Sequence, residues 1–173
     1  MRIARLGIAL ISVVAADLCH AQQNQRPEAI EVSSNIFRGL AISDEPTIKS
    51  NCDVSGYAGF RVFEYEAVTP IRIVRVERKE SDAELTTRTF EGDGRPLTSV
   101  IEALDAARWQ GLVDVFAGSG FWTAGIRDDV WMPDGLKWLV EGCKDGIFHS
   151  LFLYPEQDRR MDHVTEYMAA MAK

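Results

Sequence analysis

Leu136-Lys137-Trp138-Leu139-Val140-Glu141-Gly142-Cys143-Lys144-Asp145-Gly146-Ile147-Phe148-His149-Ser150-Leu151-Phe152-Leu153-Tyr154 is the stretch whose reading decides the fold. Asp145-Gly146 sits between two apolar-rich runs, and Asp-Gly in that setting is the strongest short-range signal for a two-residue hairpin turn. With that turn, Lys144 faces Ile147 and Gly142 faces His149. Trp138, Val140, His149, Leu151 and Leu153 then share one face, and Glu141, Cys143, Phe148, Ser150 and Phe152 share the other. Such a hairpin needs neighbouring strands to cover and extend it.

Those strands lie upstream. Phe60 to Ala67 and Ile71 to Arg78 are rich in β-branched and aromatic residues and are joined around Pro70, which suits a second hairpin. Ile71 and Ile73 share one parity and Val74 and Val76 the other, which implies either a β-bulge or a strand covered on both faces. Glu84 to Phe90 reads as a third, Thr-rich strand. Gly92-Asp93-Gly94 turns the chain into a fourth around Thr98 to Ala103.

The helices have legible ends. Asp105 caps one, Leu104 and Trp109 have the spacing of a hydrophobic staple, and Gly118 and Gly120 stop it. Trp109, Leu112, Val113 and Phe116 fall on one apolar face. A competing register starts this helix at Thr98 and absorbs the fourth strand. A last helix is expected over Pro155 to Lys173, its Met161, Val164, Met168 and Met171 stripe lying on the sheet as packing rather than as a metal or redox site. The expected fold is one α+β domain over residues 57–173, an antiparallel sheet of five or six strands with two helices packed on it.

The N-terminus carries a different message. Arg2 and Arg5 precede an apolar run of 11 residues, Leu6 to Ala16, and Cys19-His20-Ala21 offers small side chains where a signal peptidase reads. The run is shorter than the roughly 20 residues a membrane span needs, so residues 1–21 read as a cleaved signal peptide with Gln22 as the mature start. Acylation at Cys19 is the alternative. Asp17 and the bulky Leu18 before the Cys depart from the lipoprotein pattern. Residues 22–56 read as a partly ordered arm, with a turn at Ser43-Asp44-Glu45-Pro46. The expected location is periplasmic or secreted, with no transmembrane segment in the mature chain.

The whole chain carries a net charge of −7, and the mature part 17 Lys+Arg against 25 Asp+Glu, or −8. That balance disfavours nucleic-acid binding, which shows a basic stripe. The nearest candidate, Arg72, Arg75, Arg78 and Lys79, is interleaved with Glu64, Glu66, Glu77 and Glu80 and reads as the mixed-sign solvated face of a sheet. Cys52 and Cys143 are the cysteines left after cleavage. In an oxidising compartment they are the natural disulfide, two separate buried thiols being the alternative. No CxxC or HExxH spacing supports a metal site, and no cofactor is expected.

Phe121-Trp122, Asp134-Gly135, Trp138, Glu141-Gly142, Gly146, Phe148-His149 and Pro155 together resemble a pattern found in a family of small, uncharacterised exported bacterial proteins. Phe60-Arg61-Val62-Phe63 and Pro70 to Val76 are similar to the first hairpin of that family. The resemblance implies architecture and export but no activity. Where the family often carries Asp-Arg-Trp after the His, this chain has Phe152, Leu153 and Tyr154.

Chemistry is thinly signalled. Asp128, Asp129, Asp134, Glu141 and His149 form the local acid-and-histidine cluster from which a small secreted hydrolase would draw a base and an acid. Glu141 and His149, however, fall on opposite faces of the hairpin. Gly118-Ser119-Gly120 lacks the spacing of a nucleophile elbow, and Asp128-Asp129 lacks that of a calcium loop. Trp122 and Trp131 lie between helix and hairpin, where aromatics can serve a ligand or partner; Asp134 has a ready structural role in the Pro133-Asp134-Gly135 turn. The leading expectation is a non-enzymatic exported module that binds an envelope protein or small ligand through Phe121 to Gly135, with Trp122, Trp131, Asp134 and His149 as candidate residues. The alternatives are a hydrolase using His149 and a purely structural envelope protein.

Overall fold

The computed structural model describes residues 45–65, 70–125, 136–155 and 158–173. Six strands form one antiparallel sheet: β1 (Tyr57–Tyr65), β2 (Ile71–Lys79), β3 (Asp82–Phe90), β4 (Pro96–Leu104), β5 (Lys137–Lys144) and β6 (Ile147–Leu153). Their order is β4-β3-β2-β1-β5-β6. Helix α1 (Ala106–Gly118) carries the chain from β4, at one edge, back toward β5 beside β1, and α2 (Asp162–Met171) ends the fold. This is the expected α+β arrangement.

The Asp-Gly hairpin has the expected register, with Lys144 opposite Ile147 and Gly142 opposite His149. Asp145 and Gly146 both take positive φ, 54° and 76°, as a turn matching strand twist requires. Helix α1 starts after Asp105, whose side chain accepts from Arg108 N, and Gly120 beyond it is left-handed at φ 75°. The fourth strand therefore runs to Leu104, and the register that absorbed it into the helix does not occur.

One face of the sheet carries Ala58, Phe60, Val62, Val74, Val76, Leu85, Val140, Leu151 and Leu153, packed with Trp109, Leu112 and Phe116 of α1 and Val164 and Met168 of α2. The opposite face is buried too: Phe63, Ile71, Ile73, Phe90 and Leu139 form a second apolar cluster. The parity switch in β2 thus reflects a strand covered on both faces rather than a bulge; the register shift lies between β3 and β4, where Thr89 faces Thr98 and Phe90 faces Pro96, leaving Leu97 of β4 as the extra residue.

Two expectations need correction. The last helix is confined to Asp162–Met171. Asp158 N donates to Tyr154 O, while the Asp158 carboxylate accepts from the Arg160 backbone and guanidinium. The bond from the Arg160 backbone to the Asp158 carboxylate is of the side-chain-to-backbone kind that competes with helix formation. Arg75 does not sit on a solvated face: it is buried among carboxylates, and Arg78, on the other face, stacks on Trp109. Arg72, paired with Glu64, and the exposed Lys79 and Glu80 fit the solvated reading, and Glu66 lies outside the described residues. The end of the expected arm packs on the sheet: Glu45, Ile48 and Cys52 are buried there.

Cys52 and Cys143 form a disulfide, S–S 2.01 Å and Cα–Cα 5.7 Å, tying the segment before β1 to β5. Ile48, Tyr57 and half-buried Phe148 pack around it. No helix among the described residues is long and apolar enough to cross a membrane.

Candidate binding site

Trp131 and Asp134, with Asp128 and Asp129, lie outside the described residues. Trp122 and His149 come together around the turn Phe121–Thr123. Gly120, left-handed, delivers Phe121 into the core, and the Phe121 ring meets Trp122 and His149 edge-on at centroid distances of 5.0 and 4.9 Å. His149 Nε2 lies 3.1 Å from the Ala124 carbonyl oxygen. A carbonyl only accepts, so Nε2 carries the proton and donates. Burial holds the His149 pKa below its ordinary value, the bond to Ala124 working in the opposite direction. Gly142, across the ladder, leaves room for this cluster: a Cβ there would lie 2.9 Å from Phe121, 3.2 Å from Trp122 and 3.3 Å from Phe60. Half-buried Trp122 packs against Phe60 and Phe121. His149 and Trp122 thus fasten the chain leaving α1 onto β5 and β6. Glu141 points to the other face, as the hairpin register required.

There Glu141 belongs to a buried ionic network that sequence reasoning missed. Arg61 pairs with Glu141 and with Glu45, at 3.4 Å to the latter, and donates to Pro46 O at 3.0 Å. Arg75 donates from Nε and Nη2 to one Glu45 oxygen at 2.9 and 2.6 Å, while Arg88 reaches the other at 3.1 Å. Glu77 takes Arg75 at 3.1 Å and accepts the Tyr57 hydroxyl at 2.6 Å. Burial, followed by the Glu77 carboxylate, pushes the Tyr57 pKa well above its ordinary value. Arg61, Glu45 and Glu141 have almost no exposure, so the network serves the fold rather than a solvent-borne ligand. The signal for it was Arg61 and Glu141 inside otherwise apolar strands.

Among the described residues, two of the clefts open to solvent bear on function. The smaller, about 300 Å³, lies between the sheet and α2 and contains Glu64, Arg72, Trp138 and Glu166. Its arginine is already bonded to Glu64. The larger, about 570 Å³, is bounded by the disulfide segment Cys52 to Ala58, the first half of α1 and the Asp145-Gly146 turn. Arg78 of β2 lines it, its guanidinium carbon 4.7 Å from the Trp109 ring centroid.

Arg78 is unusual among the described arginines. Arg61, Arg72, Arg75, Arg88, Arg95, Arg159 and Arg160 each meet a carboxylate, and Arg108 bonds the Met171 carbonyl. Arg78 makes no ion pair or hydrogen bond among the described residues, and its Nε is buried without a partner. Asp53 shares the cleft without pairing to it, and Lys144 is 3.6 Å from Asp145. Val54, Trp109 and Val113 supply apolar wall. No group of three or more metal-ligating side chains occurs among the described residues. The chain matches no family model, and no curated protein matches it.

Proposed function

We propose that this chain is an exported, non-enzymatic binding module whose ligand is a small organic carboxylate held by Arg78 over Trp109. The supporting observation is the cleft-lining guanidinium that has an aromatic floor and no counterion among the described residues. A planar guanidinium offers paired donors that match a carboxylate, and stacking on an indole fixes its plane. The apolar wall of Val54 and Val113 suits a carbon skeleton. Asp53 and Asp145 at the rim disfavour a more highly charged anion such as phosphate. His149, bonded to a backbone carbonyl and hindered from protonating, suits packing better than proton transfer.

Export is supported by the disulfide, which persists in oxidising compartments, together with the Arg2, Arg5 and Leu6 to Ala16 pattern. Mass spectrometry of protein recovered from the bacterial envelope should give Gln22 as the first residue.

Titration calorimetry of the mature protein with benzoate, and separately with inorganic phosphate, tests the ligand reading. Benzoate should bind saturably and phosphate should not. Arg78→Gln should abolish the benzoate signal while the melting temperature shifts by only a few degrees. Benzoate binding that survives Arg78→Gln, or no binding at all, refutes the assignment.

A further inference from the structure

β4 stands apart from the rest of the sheet. It is nine residues long, occupies an edge, and eight of its residues, Pro96 to Ala103, are exposed. Leu97, Val100 and Ile101 expose 48, 49 and 65 % of their surface. The opposite edge, β6, is shorter and mostly buried or half-buried. A long edge strand with apolar side chains and unpaired backbone groups templates addition of another strand, and such edges are commonly blunted by lysines, bulges or covering segments. β4 carries such features only at its start, Pro96 and a one-residue bulge at Leu97, and beyond them one charge, Glu102.

The pattern along β4 is complementary to itself. In an antiparallel pair centred on Val100, Val100 meets its own copy, Thr98 meets Glu102, and Ser99 meets Ile101. The single acid therefore faces a threonine, so no like charges are opposed. On the face carrying Ile101, each Ile101 is a diagonal neighbour of the other copy's Ile101, so two well-exposed apolar side chains meet across the seam. Neither face changes sides, because the centre of the pairing is a residue and the side-chain period is two.

We propose that the chain self-associates through β4, which pairs antiparallel with β4 of a second copy about a twofold axis at Val100. The product is a continuous twelve-stranded sheet, two six-stranded halves joined at this edge, with an isologous seam that closes after two subunits. A twofold seam consumes the exposed edge of both copies, so growth stops at the dimer.

Sedimentation equilibrium of the mature protein across a concentration series should show a reversible monomer–dimer equilibrium. Ile101→Lys places two ammonium groups diagonally across the seam; it should weaken the dimer roughly tenfold or more and leave the melting temperature of the monomer unchanged, since Ile101 is well exposed. Val100→Cys should oxidise to a covalent dimer much faster than Ala117→Cys, on the exposed surface of α1. A wild-type chain that stays monomeric up to about 1 mM, the weak end of specific association, overturns the proposal. So does a dimer that is indifferent to Ile101→Lys and does not link through Val100→Cys. That result would mean that another surface joins the copies.

Discussion

Arg61 of β1 lies directly opposite Arg75 of β2, and the Glu45 carboxylate meets both guanidiniums. Two like charges on adjacent strands repel, and in a site with almost no solvent the repulsion is weakly screened. Glu141 and Glu77 flank the pair, one on each arginine, and Arg88 occupies the second Glu45 oxygen. The segment before β1 is therefore held to the sheet by a carboxylate that the sheet itself needs.

Glu45→Ala should consequently destabilise the protein by about 3–5 kcal/mol, the usual consequence of removing one partner from a buried ion pair. Urea unfolding measures it. Added salt should not reproduce the loss, because the pair is buried. A loss below about 1 kcal/mol would mean that Glu141 and Glu77 compensate the arginines without Glu45.

The disulfide acts on the same segment from its other end. Reducing Cys52–Cys143, or replacing both with Ala, releases a constraint between positions 91 apart and should lower stability by about 4 kcal/mol in the chain-entropy account. Thiol labelling of the denatured, unreduced protein should find both cysteines unreactive. If both label readily, the bridge is not formed in solution.

How much of this was legible in the sequence depended on whether a local rule applied. The register of β5 and β6 followed from Asp145-Gly146, because a two-residue turn leaves one pairing and the period of two then assigns every side chain to a face. Asp105 and the Trp109 to Phe116 spacing gave helix α1 for the same reason. The buried network was not legible: Glu45 lies 16 residues from Arg61, 30 from Arg75 and 43 from Arg88, and its neighbourhood reads locally as a turn. An arginine in a strand reads as solvated unless both faces are known to be covered. Arg78 shows the converse. Its alternation with glutamates suggested neutralised charge, but Glu77 points to the opposite face and pairs with Arg75 instead, leaving Arg78 to Trp109.

Gly142 should tolerate no side chain. Phe60 and Phe121, which a Cβ would press at 3.3 and 2.9 Å, are fully buried and have no room to retreat. Gly142→Ala should therefore cost about 1–3 kcal/mol by overpacking, read from thermal unfolding. His149→Ala, which loses the bond to Ala124 O and the edge contact with Phe121, should cost a similar 1–3 kcal/mol. If Gly142→Ala is neutral, the Phe121–Trp122 cluster is looser than its geometry indicates.

Two titrations should appear in the stability profile, with signs that follow from burial. His149 is held below its ordinary pKa in the folded chain, so as pH falls below about 6.5 the unfolded chain takes up the proton first and stability declines. The decline ends once pH passes the folded pKa, and His149→Gln should remove that component of the slope. Tyr57 behaves oppositely at the alkaline end. Its pKa is raised by burial and by Glu77, so its contribution is intact below about pH 10 and is lost as pH rises, because only the unfolded chain ionises there. Tyr57→Phe should flatten the alkaline limb while lowering stability at neutral pH through the lost bond to Glu77. An alkaline limb unchanged by Tyr57→Phe would show that the Tyr57 hydroxyl is solvated in solution rather than bonded beneath the Cys52 segment.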